Sequence, residues 1–161
     1  MRKVSLIVYD FDGTLVDTLF DIADSVNLTL ADLSLSQLPR ETLRKYVGKG
    51  VERLMSQTLN GTGFTDIPRA VSLFKKYYSE NLVNHTDFYP HGRGILEHFK
   101  NKKQAICSNK PENFVRQILE SLDGLHPFEA ILGGDSVKSK KPNPEGLNSI
   151  LEQLNVSANE A

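Results

Sequence analysis

Short apolar runs that end in polar turns alternate along this chain with apolar positions at helical spacing. Val4 to Tyr9 is β-branched and apolar and stops at Asp10-Phe11-Asp12-Gly13-Thr14, the pattern of a parallel strand covered on both faces. Gln104-Ala105-Ile106-Cys107 repeats it, ending at Ser108-Asn109, and Ala130-Ile131-Leu132 repeats it again, ending at Gly133-Gly134-Asp135. After the second run, Val115, Ile118, Leu119 and Leu122 make one helical stripe. After the third, Asn143-Pro144 opens a helix expected to turn Leu147, Ile150, Leu151 and Leu154 inward. The alternation predicts an α/β fold with a Rossmann-like parallel sheet core. Its functional site belongs along the C-terminal ends of the strands.

The stretch between the first and second strands is too long for a simple crossover, and it is helical in pattern. Leu19, Ala23, Val26, Leu30 and Leu33 step alternately four and three apart, and Ile67, Val71, Phe74 and Tyr78 repeat that spacing. Two shorter helical stretches, near Arg40 to Tyr46 and Val51 to Leu59, lie between them. The predicted organisation is therefore a core made of residues 1–15 and 88–161, interrupted by a helical insertion over 16–87. The stripes themselves are ordinary core packing.

Length and composition narrow the class. At roughly 150 residues per domain, 161 residues make about one domain with room for an insertion. A hydrophobic share of 39% with 24% charged residues excludes a disordered chain. Nineteen Lys+Arg against 20 Asp+Glu give a net charge of −1, with no general attraction to nucleic acid or an anionic membrane. The lone cysteine excludes a disulfide framework. Met1-Arg2-Lys3 before an apolar run invites a signal-peptide reading, but Ser5 interrupts the run and Asp10 and Asp12 close it with no cleavage site. No segment approaches the ~18 apolar residues of a membrane span. A cytoplasmic protein is expected, without nucleic-acid or membrane partners and with no indication of its oligomeric state.

Asp10-Phe11-Asp12-Gly13-Thr14 carries the strongest chemical signal. Two carboxylates two residues apart at the mouth of a strand point to one side, and the glycine turns the chain away. Placing them there costs solvation unless a metal or a reaction uses them. Ser108-Asn109-Lys110-Pro111 offers a hydroxyl, an amide and backbone N–H groups at a helix start, a combination suited to an anion. Lys138-Ser139-Lys140-Lys141-Pro142-Asn143-Pro144 adds a cationic cluster after the third strand. An acid pair, a hydroxyl and a lysine at successive strand ends form one constellation.

Asp10-Phe11-Asp12-Gly13-Thr14-Leu15, Ser108-Asn109-Lys110 and Lys141-Pro142-Asn143-Pro144 resemble the first three motifs of the haloacid dehalogenase (HAD) superfamily, and more narrowly its phosphoglycolate-phosphatase-like branch. The resemblance covers essentially the whole chain. It implies a HAD fold with an inserted helical cap and an Mg²⁺-dependent phosphatase acting on a small phosphorylated metabolite. Asp10 would take the phosphoryl group as an aspartyl-phosphate. Asp12 would protonate the leaving alcohol and then activate water. Thr14, Ser108, Asn109 and Lys141 would hold phosphate, with Lys141 balancing charge in the transition state. Mg²⁺ would bridge Asp10, the main-chain carbonyl of Asp12 and the phosphate. In the cap, Gly48-Lys49-Gly50-Val51 resembles a substrate-facing loop, so Lys49 or Arg53 would meet a second anionic group. Cys107 is expected to be inert packing, and His91 a linker residue where the family leads one to expect glycine.

The resemblance also implies a fourth motif, a Gly-Asp pair with a further acid after a fourth strand. The chain finishes Val156-Ser157-Ala158-Asn159-Glu160-Ala161, where that strand would begin. The core is thus expected to be incomplete at its C-terminus, with its first strand left as an apolar edge. The expectation is a truncated version of a longer phosphatase, poorly active alone or completed by other material. Gly134-Asp135-Ser136 resembles the absent motif and makes Asp135 a further candidate metal ligand. Two alternatives stand beside the phosphatase: a sugar phosphomutase on the same scaffold, and a non-catalytic HAD fragment that binds a phosphorylated ligand or partner.

Overall fold

The computed structural model describes residues 4–161; Met1, Arg2 and Lys3, weighed above as part of a leader, lie outside the described residues. The chain divides into an α/β unit, made of the residues up to Asp17 and Asp87–Ala161, and a helical unit, Thr18–Thr86. The divisions lie two residues later and one residue earlier than the sequence pattern placed them. The reason is a short antiparallel ribbon: β2 (Val16–Asp17) pairs with β3 (Asp87–Phe88), Val16 opposite Phe88, and both strands stay with the α/β unit.

In the α/β unit, β1 (Leu6–Tyr9), β4 (Lys103–Cys107) and β5 (Ala130–Leu132) form a parallel sheet in the order β1-β4-β5. The first strand starts two residues later than its apolar run, and the third matches its run. Among the described residues β1 stands at the end of the strand order. Just before it, the Ser5 N–H donates to the Glu160 carbonyl of a 3-10 turn over Ala158–Glu160 at 2.8 Å. Helix α6 (Glu112–Ser121) buries Phe114, Val115, Ile118 and Leu119. Leu6, Ala105, Cys107, Ala130, Ile150 and Leu154 form a buried cluster to which α7 (Glu145–Gln153) and its C-cap contribute Ile150 and Leu154.

One expectation fails here. Leu147 does not face inward; it is 41% exposed. The inward face of α7 carries Gly146, Ile150 and Leu154 instead, because Gly146 lets the helix close on β4. A Cβ there would lie 2.9 Å from Cys107 Sγ. Leu147, about 100° further round the helix, turns away. The chain also forms α5 (Gly92–His98), a helix that the sequence pattern did not mark, directly after the linker residue His91. It opens at His91, whose φ of 70° is the left-handed conformation that glycine adopts most easily.

The helical unit contains α1 (Leu19–Asp32), α2 (Arg40–Arg44), α3 (Val51–Thr58) and α4 (Ile67–Glu80). Ile22, Ala23, Val26 and Leu30 of α1 are buried, as are Leu54 and Met55 of α3 and Ala70, Phe74 and Tyr78 of α4. Phe74 and Tyr78 stack with ring centroids 5.4 Å apart. Asp66 caps α4 by accepting the Arg69 N–H at 3.0 Å. Asp21, on the buried side of α1, accepts the N–H groups of His85 and Thr86 at the far end of the same unit. Among the described residues, no helix is long and apolar enough to cross a membrane.

Candidate active site

Parallel pairing brings the C-terminal ends of β1, β4 and β5 together, and the polar residues beyond them meet there. Past β1 the chain folds around Phe11, which is fully buried. Its carbonyl accepts the N–H groups of Thr14, Leu15 and Val16 at 3.3, 3.1 and 3.2 Å. Gly13, at φ 76°, makes the reversal possible and donates to the Val16 carbonyl at 2.9 Å. Burying one side chain between two acids therefore fixes where both emerge. Asp10 Oδ1 accepts the Phe11 N–H at 2.8 Å. Thr14 sits exposed on the same turn.

Each acid meets a lysine. Lys141 Nζ lies 2.7 Å from Asp10 Oδ1 and also donates to the Cys107 carbonyl at 2.7 Å. The Lys141 and Asp10 side chains are 27% and 48% exposed, so this pair opens to solvent. Lys110 Nζ lies 2.9 Å from Asp12 Oδ1, with side chains 4% and 10% exposed, so this pair is dry. Asn109 connects the two loops: its Oδ1 accepts the Lys141 N–H at 2.9 Å and its Nδ2 donates to the Lys141 carbonyl at 3.2 Å. Ser108 is buried at the β4 end, with its N–H on the Leu132 carbonyl and its Oγ accepting the Lys110 N–H at 3.1 Å.

The loop past β5 packs without clearance on the loop past β4. A Cβ on Gly133 would stand 2.2 Å from Glu112 N, and one on Gly134 would stand 2.3 Å from Asn109 O. Gly134 N–H donates to the Lys110 carbonyl at 2.8 Å. Asp135 Oδ1 accepts the Glu112 N–H at 2.8 Å and so caps α6. Among the described residues, no group of three or more His, Cys, Asp and Glu side chains is arranged to hold a metal ion. Glu145 accepts the N–H groups of Lys138 and Ser139 at 2.8 and 3.0 Å. The Lys138 N–H, ahead of the other contacts, pulls its carboxyl below the ordinary range. Burial pushes the Cys107 thiol up, in keeping with a packing residue.

The model of the haloacid dehalogenase-like hydrolase family matches residues 7–161. The chain belongs to that family. A phosphoglycolate phosphatase from Aquifex aeolicus is 37% identical over 151 residues, covering 92% of this chain and 70% of the relative. One from Nitrosospira multiformis is 33% identical over 160 residues, covering 95% and 70%. A crystal structure described as a predicted phosphoglycolate phosphatase from Haemophilus somnus superposes with a TM-score of 0.91 at 29% identity, covering 99% of this chain and 76% of that one.

Within this HAD-like hydrolase the structure brings together Asp10, Asp12, Ser108, Asn109 and Lys141. Lys49 and Arg53 lie in the helical unit, both exposed, just before and within α3. Sequence reasoning gave no role to Lys110, although it is the third residue of the Ser108-Asn109-Lys110 motif. It also missed Glu145, hidden because its partners are backbone groups.

Proposed function

We propose that this HAD-like hydrolase is an Mg²⁺-dependent phosphatase of a small phosphomonoester of the phosphoglycolate kind, working through an aspartyl-phosphate. One observation carries the reading: a half-exposed carboxylate at a strand end, Asp10, is paired at 2.7 Å with Lys141. A carboxylate is already ionised at neutral pH and attacks without a base. The lysine offsets the charge that would otherwise repel a phosphate dianion. Relatives that cover most of this chain are phosphoglycolate phosphatases, which supports the substrate class.

In the first half of the reaction an Asp10 oxygen bonds to phosphorus as the bond to the leaving oxygen breaks, and Asp12 gives that oxygen a proton. In the second half Asp12 takes a proton from water, whose oxygen bonds to phosphorus as the bond to Asp10 breaks, releasing phosphate. Ser108, Thr14 and the backbone past β4 hold phosphoryl oxygens, and Asn109 keeps Lys141 in place through its backbone. The donor set suits Mg²⁺, a hard cation that takes one or two carboxylates with water and phosphate, and Asp10 and the main chain at Asp12 are the groups to hold it. When bound, the ion neutralises charge on the phosphoryl oxygens. Lys49 and Arg53 are assigned to a second anionic group on the substrate.

The test is phosphate release from 2-phosphoglycolate and p-nitrophenyl phosphate, with and without Mg²⁺, by wild type and Asp10→Asn. Release that needs Mg²⁺ and disappears in the variant is expected. An acid-quenched peptide containing Asp10 should carry one added phosphoryl group. Undiminished turnover by Asp10→Asn overturns the reading. Lys49→Ala and Arg53→Ala should raise KM for the carboxylated substrate and leave that for p-nitrophenyl phosphate unchanged.

A further inference from the structure

We infer that Lys110 is a positioning residue for Asp12, holding the proton-carrying carboxylate in the geometry that the leaving group requires. The inference rests on the reading of Asp12 given above. Lysine is almost never buried unless paired, and taking both charges of a pair out of water is costly. Yet Lys110 and Asp12 form such a pair beside the open Asp10–Lys141 pair, with side chains 4% and 10% exposed against 48% and 27%. A site that only had to balance phosphate charge would keep both lysines accessible. One is accessible and one is enclosed.

The enclosed lysine is anchored at both ends. Its N–H donates to Ser108 Oγ at 3.1 Å and its carbonyl accepts the Gly134 N–H at 2.8 Å, so the start of the side chain is tied to the ends of β4 and β5. Its ammonium reaches across to Asp12 Oδ1 at 2.9 Å. The four-carbon stem is thus stretched between a rigid strand end and a carboxylate on a different loop. Asp12 lies next to Gly13, whose φ of 76° turns the chain away from the strand end. Fixing Oδ1 from outside the turn fixes the plane of the carboxylate, and with it the point where a proton is handed over. A misplacement of about 1 Å at such a point costs on the order of 10²-fold in rate.

Lys110 Nζ meets Asp12 and Lys141 Nζ meets Asp10, and this separates their expected effects. Loss of Lys110 should matter in proportion to how much the leaving group needs a proton. The experiment measures the first turnover by rapid quench, comparing glycolate release from 2-phosphoglycolate with nitrophenolate release from p-nitrophenyl phosphate, whose leaving group needs no proton. Lys110→Met is expected to slow the first by on the order of 10–10²-fold and the second by less than about threefold, with KM little changed. Asp12→Asn should show the same selectivity with a loss of about 10²–10⁴-fold. Lys110→Arg keeps the buried charge partnered but moves the donor, and is expected to show the selective loss in weaker form even if the methionine variant fails to fold.

Equal slowing of both substrates by the Lys110 variants, or no slowing, overturns the inference while Asp12→Asn remains selective. If Asp12→Asn itself slows both substrates equally, the reading of Asp12 falls, and the inference with it.

Discussion

Asp21 offers a direct measure of how much one buried polar group holds together in the helical unit. It sits on the core side of α1 among Leu19, Ile22 and Ala23, 1% exposed. Its carboxylate accepts the His85 N–H at 3.1 and 3.0 Å through its two oxygens and the Thr86 N–H at 2.9 Å. Asp21→Ala leaves two backbone donors without this acceptor. Each bond to a charged group contributes about 1.5–3 kcal/mol. Removing the carboxylate also removes its own desolvation cost, which brings the net loss below the roughly 3–6 kcal/mol sum, to about 2–4 kcal/mol. That is a large fraction of the ~5–15 kcal/mol by which domains are stable. The chain has no tryptophan, so urea unfolding is followed by far-ultraviolet circular dichroism. With a slope near 2 kcal/mol/M, the midpoint should fall by about 1–2 M. Asp21→Asn retains an acceptor without the charge and should fall between. A midpoint shift under about 0.3 M for Asp21→Ala would refute the account, because it would mean that those N–H groups find equivalent partners in water.

Three further outcomes follow from single contacts. Gly134→Ala places a methyl 2.3 Å from the Asn109 carbonyl, so it should cost at least the upper end of the ~1–3 kcal/mol of overpacking and lower activity by displacing the β4 loop; an unchanged Tm and rate would contradict this. His91→Gly relieves a φ of 70°, a strain of about 1–2 kcal/mol partly offset by glycine's entropy of about 0.5–1 kcal/mol. Its Tm should rise by about 2 °C, and a lowered Tm would mean that the imidazole contributes more than its backbone costs. Glu145 titrates below the ordinary value of 4.5, so its stabilisation is complete above that value and fades as pH falls through the lower folded-state value. The Tm gap between wild type and Glu145→Gln should therefore be full at neutral pH and close in acid; a gap independent of pH would count against the contact.

Much of the fold was legible because its signals are local. Strand ends were marked by apolar runs meeting Asp10, Ser108 and Gly133, and the buried stripe of α1 was read from spacing alone. Asp10 and Asp12 were identifiable because two costly charges at one strand end are rare without chemical use. What stayed illegible depends on distant neighbours. Leu147 looked inward until Gly146 was seen against Cys107. Helix α5 was hidden because Gly92 and Gly94 argue locally against it.

The sequence by itself therefore determined the α/β architecture, the helical insertion and the acids at the end of the first strand, since periodicity and composition act over a few residues. Only the tertiary structure gave Asp12 a lysine of its own, Lys110, and set the two pairs apart by burial. Lys110 and Lys141 are equally cationic in the sequence, and both follow strand ends. The packing of Gly133 and Gly134 on the β4 loop and the grip of Asn109 on the Lys141 backbone accompany a dry partner for Asp12 and an open one for Asp10. Burial is a property of the assembled chain, and burial separates a lysine that positions from a lysine that meets substrate.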